Sequence, residues 1–478
     1  MRRFVLLLAV LFVALASLSA QVAPTVPAAL NAQIIDRYDQ GDTAALQALW
    51  VVEPNKAWLA GFLRHLRDQT GAITATRQVA RYPAGGGFTW QGERANLRFD
   101  FYTTGGAVVE DWRLTDFTPQ PAAAPRTVAT DNPLRTAQDR LVHQAALLYL
   151  ADTGTVGLSI GVLRHGRRAY YNYGESARGA HALPTPRTFY ELGSITKTFV
   201  TTLLAKAVTD GRVRLTDDVR RYLPDPPGAY PNLAYAGRPI RLVDLANHTS
   251  GLPFWTITRP DSLDRLTPVQ QHLFYETYTL QDLARDLHGV TLHAAPGTRY
   301  EYSGAGINTL ILALEHVYGR DFERLVRDYY GARYGMTDTK KVLGAAEIRR
   351  AVTGTDERGL PVPYFAQYTA ALGPELVSTP ADLLTYLATN LSPEPALVLS
   401  HRPTYALPHS TERIGLGWRL GHDWFRDRTI YHTGSGFGGN SAAYLYPTRG
   451  LGLVVLVNEK RDQGRVDALV TRLVEGLR

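Results

Sequence analysis

The sequence predicts an α+β protein. Its architecture would be an α/β sandwich: an antiparallel sheet flanked by helices, with an inserted all-helical subdomain, preceded by a small α+β domain. Three observations predict it. The chain has 478 residues, whereas single hydrophobic cores stop growing at about 250–300 residues, so more than one folded unit is expected. A Pro/Ala-rich stretch, residues 119–133 (PQPAAAPRTVATDNP), interrupts the patterned sequence and reads as a linker. Beyond it, strand-like segments gather at both ends of the remaining chain with a mainly helical stretch between them. Strands from the two ends can then share one sheet around a helical insertion.

The elements follow in order. Met1, Arg2 and Arg3 precede an apolar run from Phe4 to Leu18, broken only by Ser17, and small residues follow at Ser19 and Ala20. Residues 1–20 therefore read as a secretory signal peptide. A periplasmic or secreted protein with no integral span after cleavage is expected. Residues 25–118 form the small domain. Leu30, Ile34, Ile35, Tyr38, Leu46 and Leu49 recur at helical spacing, and a second helix is expected over Lys56–Arg67. Strands are expected at Ala72–Tyr82, Phe88–Trp90, Ala95–Tyr102 and Ala107–Leu114, separated by Gly-rich turns. This order loosely resembles cystatin-like domains of the nuclear-transport-factor-2 type. Residues 134–478 make the larger unit. It opens with an amphipathic helix (Leu134–Asp152) and a hairpin (Val156–Leu163, Arg168–Tyr173) turning at His165-Gly166. Helical pattern dominates from about 190 to 395. Strands return at Ile414–Leu420, Trp424–His432, Ser441–Tyr446 and Leu451–Asn458, and a helix over Gly464–Leu477 ends the chain.

Composition narrows the chemistry. The chain is 45% hydrophobic and 20% charged, which excludes a disordered or multi-span protein. The net charge of +7 falls to +5 once Arg2 and Arg3 are removed, and no Lys/Arg run exists, so a nucleic-acid partner is not expected. There is no cysteine, hence no disulfide, thiolate metal site or thiol nucleophile. The thirteen His show no H-E-x-x-H spacing, and no metal or other cofactor is expected. Only six of the 51 basic residues are Lys: Lys56, Lys197, Lys206, Lys340, Lys341 and Lys460. Arginine does not give up its proton in proteins, so a neutral amine has these six sources.

Lys197 stands out among them. Ser194-Ile195-Thr196-Lys197 precedes an apolar helical stretch (Phe199, Val200, Leu203, Leu204, Ala207). Residues at i and i+3 share a helix face, so the hydroxyl and the amine can meet. A serine hydroxyl needs a base to become a good nucleophile, and S-x-x-K occurs in penicillin-interacting serine enzymes. Further segments follow: Leu215-Thr216-Asp217-Asp218-Val219 with Tyr222-Leu223-Pro224, Leu245-Ala246-Asn247-His248-Thr249-Ser250-Gly251-Leu252-Pro253, and Pro296-Gly297. Tyr300-Glu301-Tyr302-Ser303-Gly304, Ser378-Thr379-Pro380-Ala381-Asp382-Leu383-Leu384 and His432-Thr433-Gly434-Ser435 complete the set.

In this order and spacing the segments resemble the serine β-lactamase-like, penicillin-binding superfamily. The branch is that of class C β-lactamases, D-alanyl-D-alanine carboxypeptidases, D-aminopeptidases and related esterases, with a β-lactamase/transpeptidase-like fold. The resemblance covers residues 134–478 and implies roles. Ser194 would be acylated, Lys197 would help deprotonate it, and Tyr302 would shuttle protons, its own pKa lowered by Lys197 and His432. His432, Thr433 and Gly434 would bind substrate, and the amides of Ser194 and Ser435 would hold the oxyanion. Two departures stand out. His432 replaces the Lys of class C enzymes, and Gly304 replaces the Asn of the Y-x-N motif.

Other motifs carry less. Gly157-Leu158-Ser159-Ile160-Gly161 fits the nucleophile elbow but lies inside a predicted strand, without the strand-to-helix turn that the elbow needs. Gly434-Ser435-Gly436-Phe437-Gly438-Gly439 fits G-x-G-x-x-G but has strand on both sides, so a dinucleotide site is not expected. These glycines are expected to let backbone approach substrate. His248 reads as part of a structural turn. The expected function is an exported serine hydrolase forming an acyl-enzyme with an ester or a D-amino-acid peptide or amide. Its partner would be a small-molecule or peptide substrate, such as a cell-wall fragment. The alternative is a non-hydrolytic peptidoglycan- or penicillin-binding sensor.

Overall fold

The computed structural model describes residues 28–49, 66–67, 70–82, 85–104, 108–119, 127–152, 154–254, 270, 278–362, 364, 375–408, 410–423 and 425–478. The signal segment, most of the helix expected over Lys56–Arg67, and Pro119's successors to Arg126 lie outside them. Two compact units are present, meeting in sequence at Ala124–Pro125.

In the first unit, helix α1 (Ala28–Gln40) is followed by a short α2 (Thr43–Ala48). Gly41 separates them at φ +69°, a conformation that ends a helix cheaply only at glycine. Four strands, β1 (Ile73–Tyr82), β2 (Gly85–Gly92), β3 (Ala95–Thr104) and β4 (Val108–Pro119), make an antiparallel meander in sequence order. Phe88 and Trp90 on β2, and Leu97, Phe99 and Phe101 on β3, recur at the strand period of two and pack with Leu30, Ile34 and Tyr38 of α1. The buried indole N–H of Trp90 donates to Asn31 Oδ1 at 3.0 Å, so burial leaves it satisfied.

The second unit begins before its first helix. Residues 127–133, expected as linker, lie along a strand instead: Thr130 bridges Tyr173, and Asn132 Nδ2 donates to the Tyr173 hydroxyl at 2.7 Å. Helix α3 (Ala137–Leu150) starts at a capping box of Thr136 and Asp139. Strands β5 (Gly157–Arg164) and β6 (Arg167–Gly174) form the expected hairpin, with His165 at φ 47° and Gly166 at φ 79°. Two positive φ values match the right-handed twist of paired strands. Then come β7 (Tyr190–Glu191), a tight turn at Gly193–Ile195, and α4 (Thr196–Thr209). The helical block includes α5 (Leu242–Ala246), α6 (Leu280–Asp286) and α7 (Gly304–Tyr318). After it, β8 (Val377–Ser378) pairs with β7, and α8 (Pro380–Asn390) follows.

The chain then returns to strand. In order they are β9 (Tyr405–Ala406), β10 (Arg413–Gly415), β11 (Trp418–His422), β12 (Arg428–Ser435), β13 (Asn440–Tyr446) and β14 (Leu451–Val457), before α9 (Gln463–Gly476). An 8-stranded antiparallel sheet runs β9-β10-β11-β12-β13-β14-β5-β6. Pairing of β14 with β5 joins the two ends of the unit, as expected. The segment Ile414–Leu420, expected as one strand, is two. Leu416 (φ 42°) and Gly417 (φ 85°) form a hairpin turn that an apolar run does not reveal.

Helices cover both faces. On one, Val142, Ala146 and Leu150 of α3 and Val466, Leu469 and Leu473 of α9 pack on Leu158, Ile160, Leu453 and Val455. On the other, Phe199, Leu203, Ile307, Leu310, Leu383 and Leu387 pack on Ile430, Ala443, Val454 and Leu456. The central β14 is buried on both faces, which is why it reads as a continuous apolar run. Helix α4 is buried almost all round. Its threonines are tolerated there because Thr198 and Thr202 donate back to the carbonyls of Ile195 and Thr198, each at 2.8 Å.

Candidate active site

Ser194 lies in the turn that feeds α4, and Lys197 sits one helical turn on. Lys197 Nζ donates to Ser194 Oγ at 2.9 Å. Lys197 is only 5% exposed. Lys206, Lys340 and Lys460 each pair with a carboxylate, whereas no ion pair to Lys197 is present among the described residues. Tyr302 arrives from the helical block. Ser303, the N-cap of α7, accepts the Gly306 N–H at 2.9 Å and donates to Pro253 O at 2.7 Å, which fixes the chain just after Tyr302. Lys197 Nζ stands 5.1 Å from the Tyr302 ring centroid.

Strand β12 forms the opposite wall. Gly193 (φ +53°) and Gly434 interlock: a Cβ on Gly193 would lie 2.5 Å from Ser435 N, and one on Gly434 would lie 2.1 Å from Leu192 O and 2.9 Å from Ser194 N. The missing side chains allow the Gly193–Ser194 turn to pack directly against the Gly434–Ser435 backbone. His432 opposes Ala443 in register, on the face that packs against α4 and α7. Its Nδ1 lies 2.6 Å from Thr433 O and so carries the proton. The expected residues Ser194, Lys197, Tyr302, His432, Gly434 and Ser435 are thus brought together. Thr433 joins them through its carbonyl.

The electrostatics correct one expectation. Burial pushes the His432 pKa down to about 3, and Lys197 and Arg419 push the same way. His432 is therefore a neutral imidazole near pH 7 and supplies no positive charge to Tyr302, contrary to the sequence expectation. The glycines after Ser435 also differ from expectation. A Cβ on Gly436 would lie 2.1 Å from Glu191 Oε2, and one on Gly439 would lie 2.3 Å from Val457 O, so these glycines make room for protein rather than substrate. Ser159 is excluded from the site. It is fully buried in β5, with its hydroxyl 2.7 Å from Asn172 Oδ1 and 2.9 Å from the Tyr190 hydroxyl.

Three residues near the site were not singled out as its members from sequence. His248 is buried at φ 56°, its ring centroid 4.3 Å from that of Tyr302. Its Nδ1 accepts the Ser303 N–H at 3.2 Å, so its Nε2 bears the proton. Burial, with Lys197 next, holds it neutral too. Arg419 reaches the site from β11, donating to the Tyr300 hydroxyl at 3.1 Å and pairing with Glu412 at 3.3 Å. Glu375, just before β8, accepts the Gly193 N–H. His248 stood inside a recognised segment. Arg419 and Glu375 carried no motif, and only the fold places them here.

A sequence model of the Beta-lactamase family matches residues 139–476. The chain belongs to the beta-lactamase family. Like other members of this family it is a serine hydrolase. A beta-lactamase of Pseudomonas fluorescens is 24% identical over an alignment of 344 positions that covers 63% of this chain and 88% of the relative. The D-alanyl-D-alanine-carboxypeptidase/endopeptidase AmpH of Escherichia coli K12 is 26% identical, over 67% of this chain and 86% of the relative. Among solved structures, a β-lactamase/D-alanine carboxypeptidase from Yersinia pestis aligns with a TM-score of 0.61 at 23% identity, over 71% of this chain and 99% of that one. A class C β-lactamase aligns with a TM-score of 0.62 at 18% identity, over 72% and 98%. These two show that the beta-lactamase fold is shared. Within this family member the described residues contain no cluster able to hold a metal ion, and no described helix is long and apolar enough to cross a membrane.

Proposed function

We propose that the protein is an exported serine hydrolase that forms an acyl-enzyme at Ser194. The observation that carries this reading is the 2.9 Å contact between Lys197 Nζ and Ser194 Oγ, set beside the close packing of the Gly193 turn against Gly434 and Ser435. Lys197 Nζ takes the Ser194 proton as Oγ attacks the carbonyl. The two amides hold the oxyanion; as it collapses and the bond to the leaving group breaks, Tyr302 gives that group its proton and takes the one that Lys197 removed from Ser194. Water then attacks the acyl carbon and loses a proton through the same groups; the bond to Oγ breaks, Ser194 takes that proton, and the acid product leaves. Residues 1–20, with their basic start and apolar run, support export.

The substrate is an ester or a D-amino-acid peptide or amide. Neutral His432 offers no cation to a substrate carboxylate, and Gly304 offers no side-chain amide to an acylamide group. Both features favour esters. A fluorophosphonate or fluorescent penicillin should label Ser194, as read by mass spectrometry. Ser194→Ala should abolish hydrolysis of p-nitrophenyl butyrate. A folded protein that takes no label at Ser194 sinks the reading. Between substrates, Gly304→Asn should raise turnover of D-aminoacyl amides relative to short esters. An unchanged ratio counts against a role for Gly304 in selecting esters.

A further inference from the structure

We infer that Glu375 is a positioning residue of this site: by accepting the Gly193 N–H, its carboxyl sets the turn that presents the Ser194 amide and hydroxyl to the carbonyl under attack. Residue 375 is clamped beside that turn. The next residue, Leu376, accepts the Leu192 N–H at 2.9 Å and donates to Thr196 Oγ1 at 3.0 Å. These bonds bracket Gly193 and Ser194 from both sides. The leading N–H groups of a helical segment have no partner within it, and Gly193 at φ +53° finds its acceptor in the Glu375 carboxyl. The turn also has to hold Gly193 against the Ser435 amide, where a Cβ would lie 2.5 Å away. A rotated Gly193 peptide would spoil both amides at once.

The charge state of Glu375 matters because it lies so near the place where an oxyanion develops. The charged groups that bear on it are Glu191 on β7 and Lys197 on α4. Burial, then Glu191, hold its pKa well above the usual carboxylate range, against the Gly193 N–H and Lys197. As the neutral acid it accepts the Gly193 N–H through its carbonyl oxygen and places no negative charge beside the amides. Once ionised, it would oppose the oxyanion. Turnover should therefore fall as pH rises through the ionisation of Glu375. Glu375 itself takes up no proton from Ser194 and forms no bond to substrate.

This role presupposes the acyl-enzyme reading of Ser194, and the test separates the two. The full chain, Glu375→Gln and Glu375→Ala are compared with p-nitrophenyl butyrate from about pH 5 to about pH 9, each with fluorophosphonate labelling of Ser194. Loss of the acceptor in Glu375→Ala should lower kcat roughly tenfold or more, with KM within about twofold. Glu375→Gln keeps an oxygen for the Gly193 N–H and cannot ionise. It should restore kcat and lack the alkaline fall of the parent. A Glu375→Gln profile identical to the parent's, or a Gln variant as impaired as the Ala variant, overturns the inference. Should Glu375→Ala not fold, the Gln profile decides alone. Labelled Ser194 with both variants unchanged removes only the positioning role. A parent that takes no label removes the acyl-enzyme reading with it.

Discussion

Gly193 and Gly434 meet back to back, and neither can grow a side chain without moving the other's strand or turn. A methyl on Gly434 would sit 2.1 Å from a backbone carbonyl, which has no rotamer to escape into. Gly434→Ala should thus separate β12 from the Ser194 turn and draw the Ser435 amide away. The loss of one oxyanion donor costs about 10²–10³ in rate. We expect kcat for p-nitrophenyl butyrate to fall roughly 100-fold, with the far-UV spectrum retained. Full activity in a folded variant would show that the two amides do not act together. Gly434 was legible as part of His-Thr-Gly, whereas the reason for Gly193 was not, since its partner lies 241 residues away in sequence (434 minus 193). The chemical types of Ser194, Lys197, Tyr302 and His432 could be read directly. The protonation of His432 could not, because burial sets it.

At the scale of elements, α3 and the end of β14 are tied by a buried carboxyl. Glu459 is fully buried. It accepts the Tyr149 hydroxyl at 2.7 Å and the Val156 N–H at 3.0 Å. Burial lifts its pKa from the usual 4.5 to about 7. A raised folded pKa means that the unfolded chain gives up this proton first. The associated stability is full below about pH 4.5 and is lost as pH rises through about 7. Glu459→Gln cannot ionise, so its urea midpoint should fall less than the parent's between about pH 5 and pH 8. Parallel curves for the two proteins would show that Glu459 titrates normally. The buried histidines change stability in the opposite sense but equally in both proteins, so the difference isolates Glu459. The helices and most strands here followed from periodicity. The split of Ile414–Leu420 did not, because its turn uses Leu416 at positive φ, a choice enforced by packing against α4. A Cβ on Gly417 would lie 2.7 Å from Thr201 Oγ1 of that helix.

At the scale of the molecule, every residue proposed for catalysis lies in the second unit, and its two cores are built from its own helices and strands. A chain beginning at residue 127 should therefore fold and turn over p-nitrophenyl butyrate at a rate close to the parent's. A chain beginning at residue 136 should be less stable. It loses the backbone pairing of Thr130 with β6, the bond from Asn132 to Tyr173, and the contact of Asp131 with Asn172, whose N–H donates to Asp131 Oδ1 at 2.8 Å. Equal urea midpoints for the two truncations would show that residues 127–133 behave as a linker after all. An inactive chain from residue 127 would show that the first unit is needed for the chemistry.

By itself the sequence determined the class of fold and the family, and it named the residues proposed as the reacting groups. Periodicity of burial and the spacing of Ser194 and Lys197 are local properties that survive without a structure. The tertiary structure decided what those groups experience. Pairing β14 with β5 closes the sheet, and the contact of Gly193 with Gly434 sets β12 beside α4. That closure buries His432 and His248 around Lys197 and brings Glu375 and Arg419 in from distant segments. Burial and proximity set protonation, and neither is a property of a residue's neighbours in the chain.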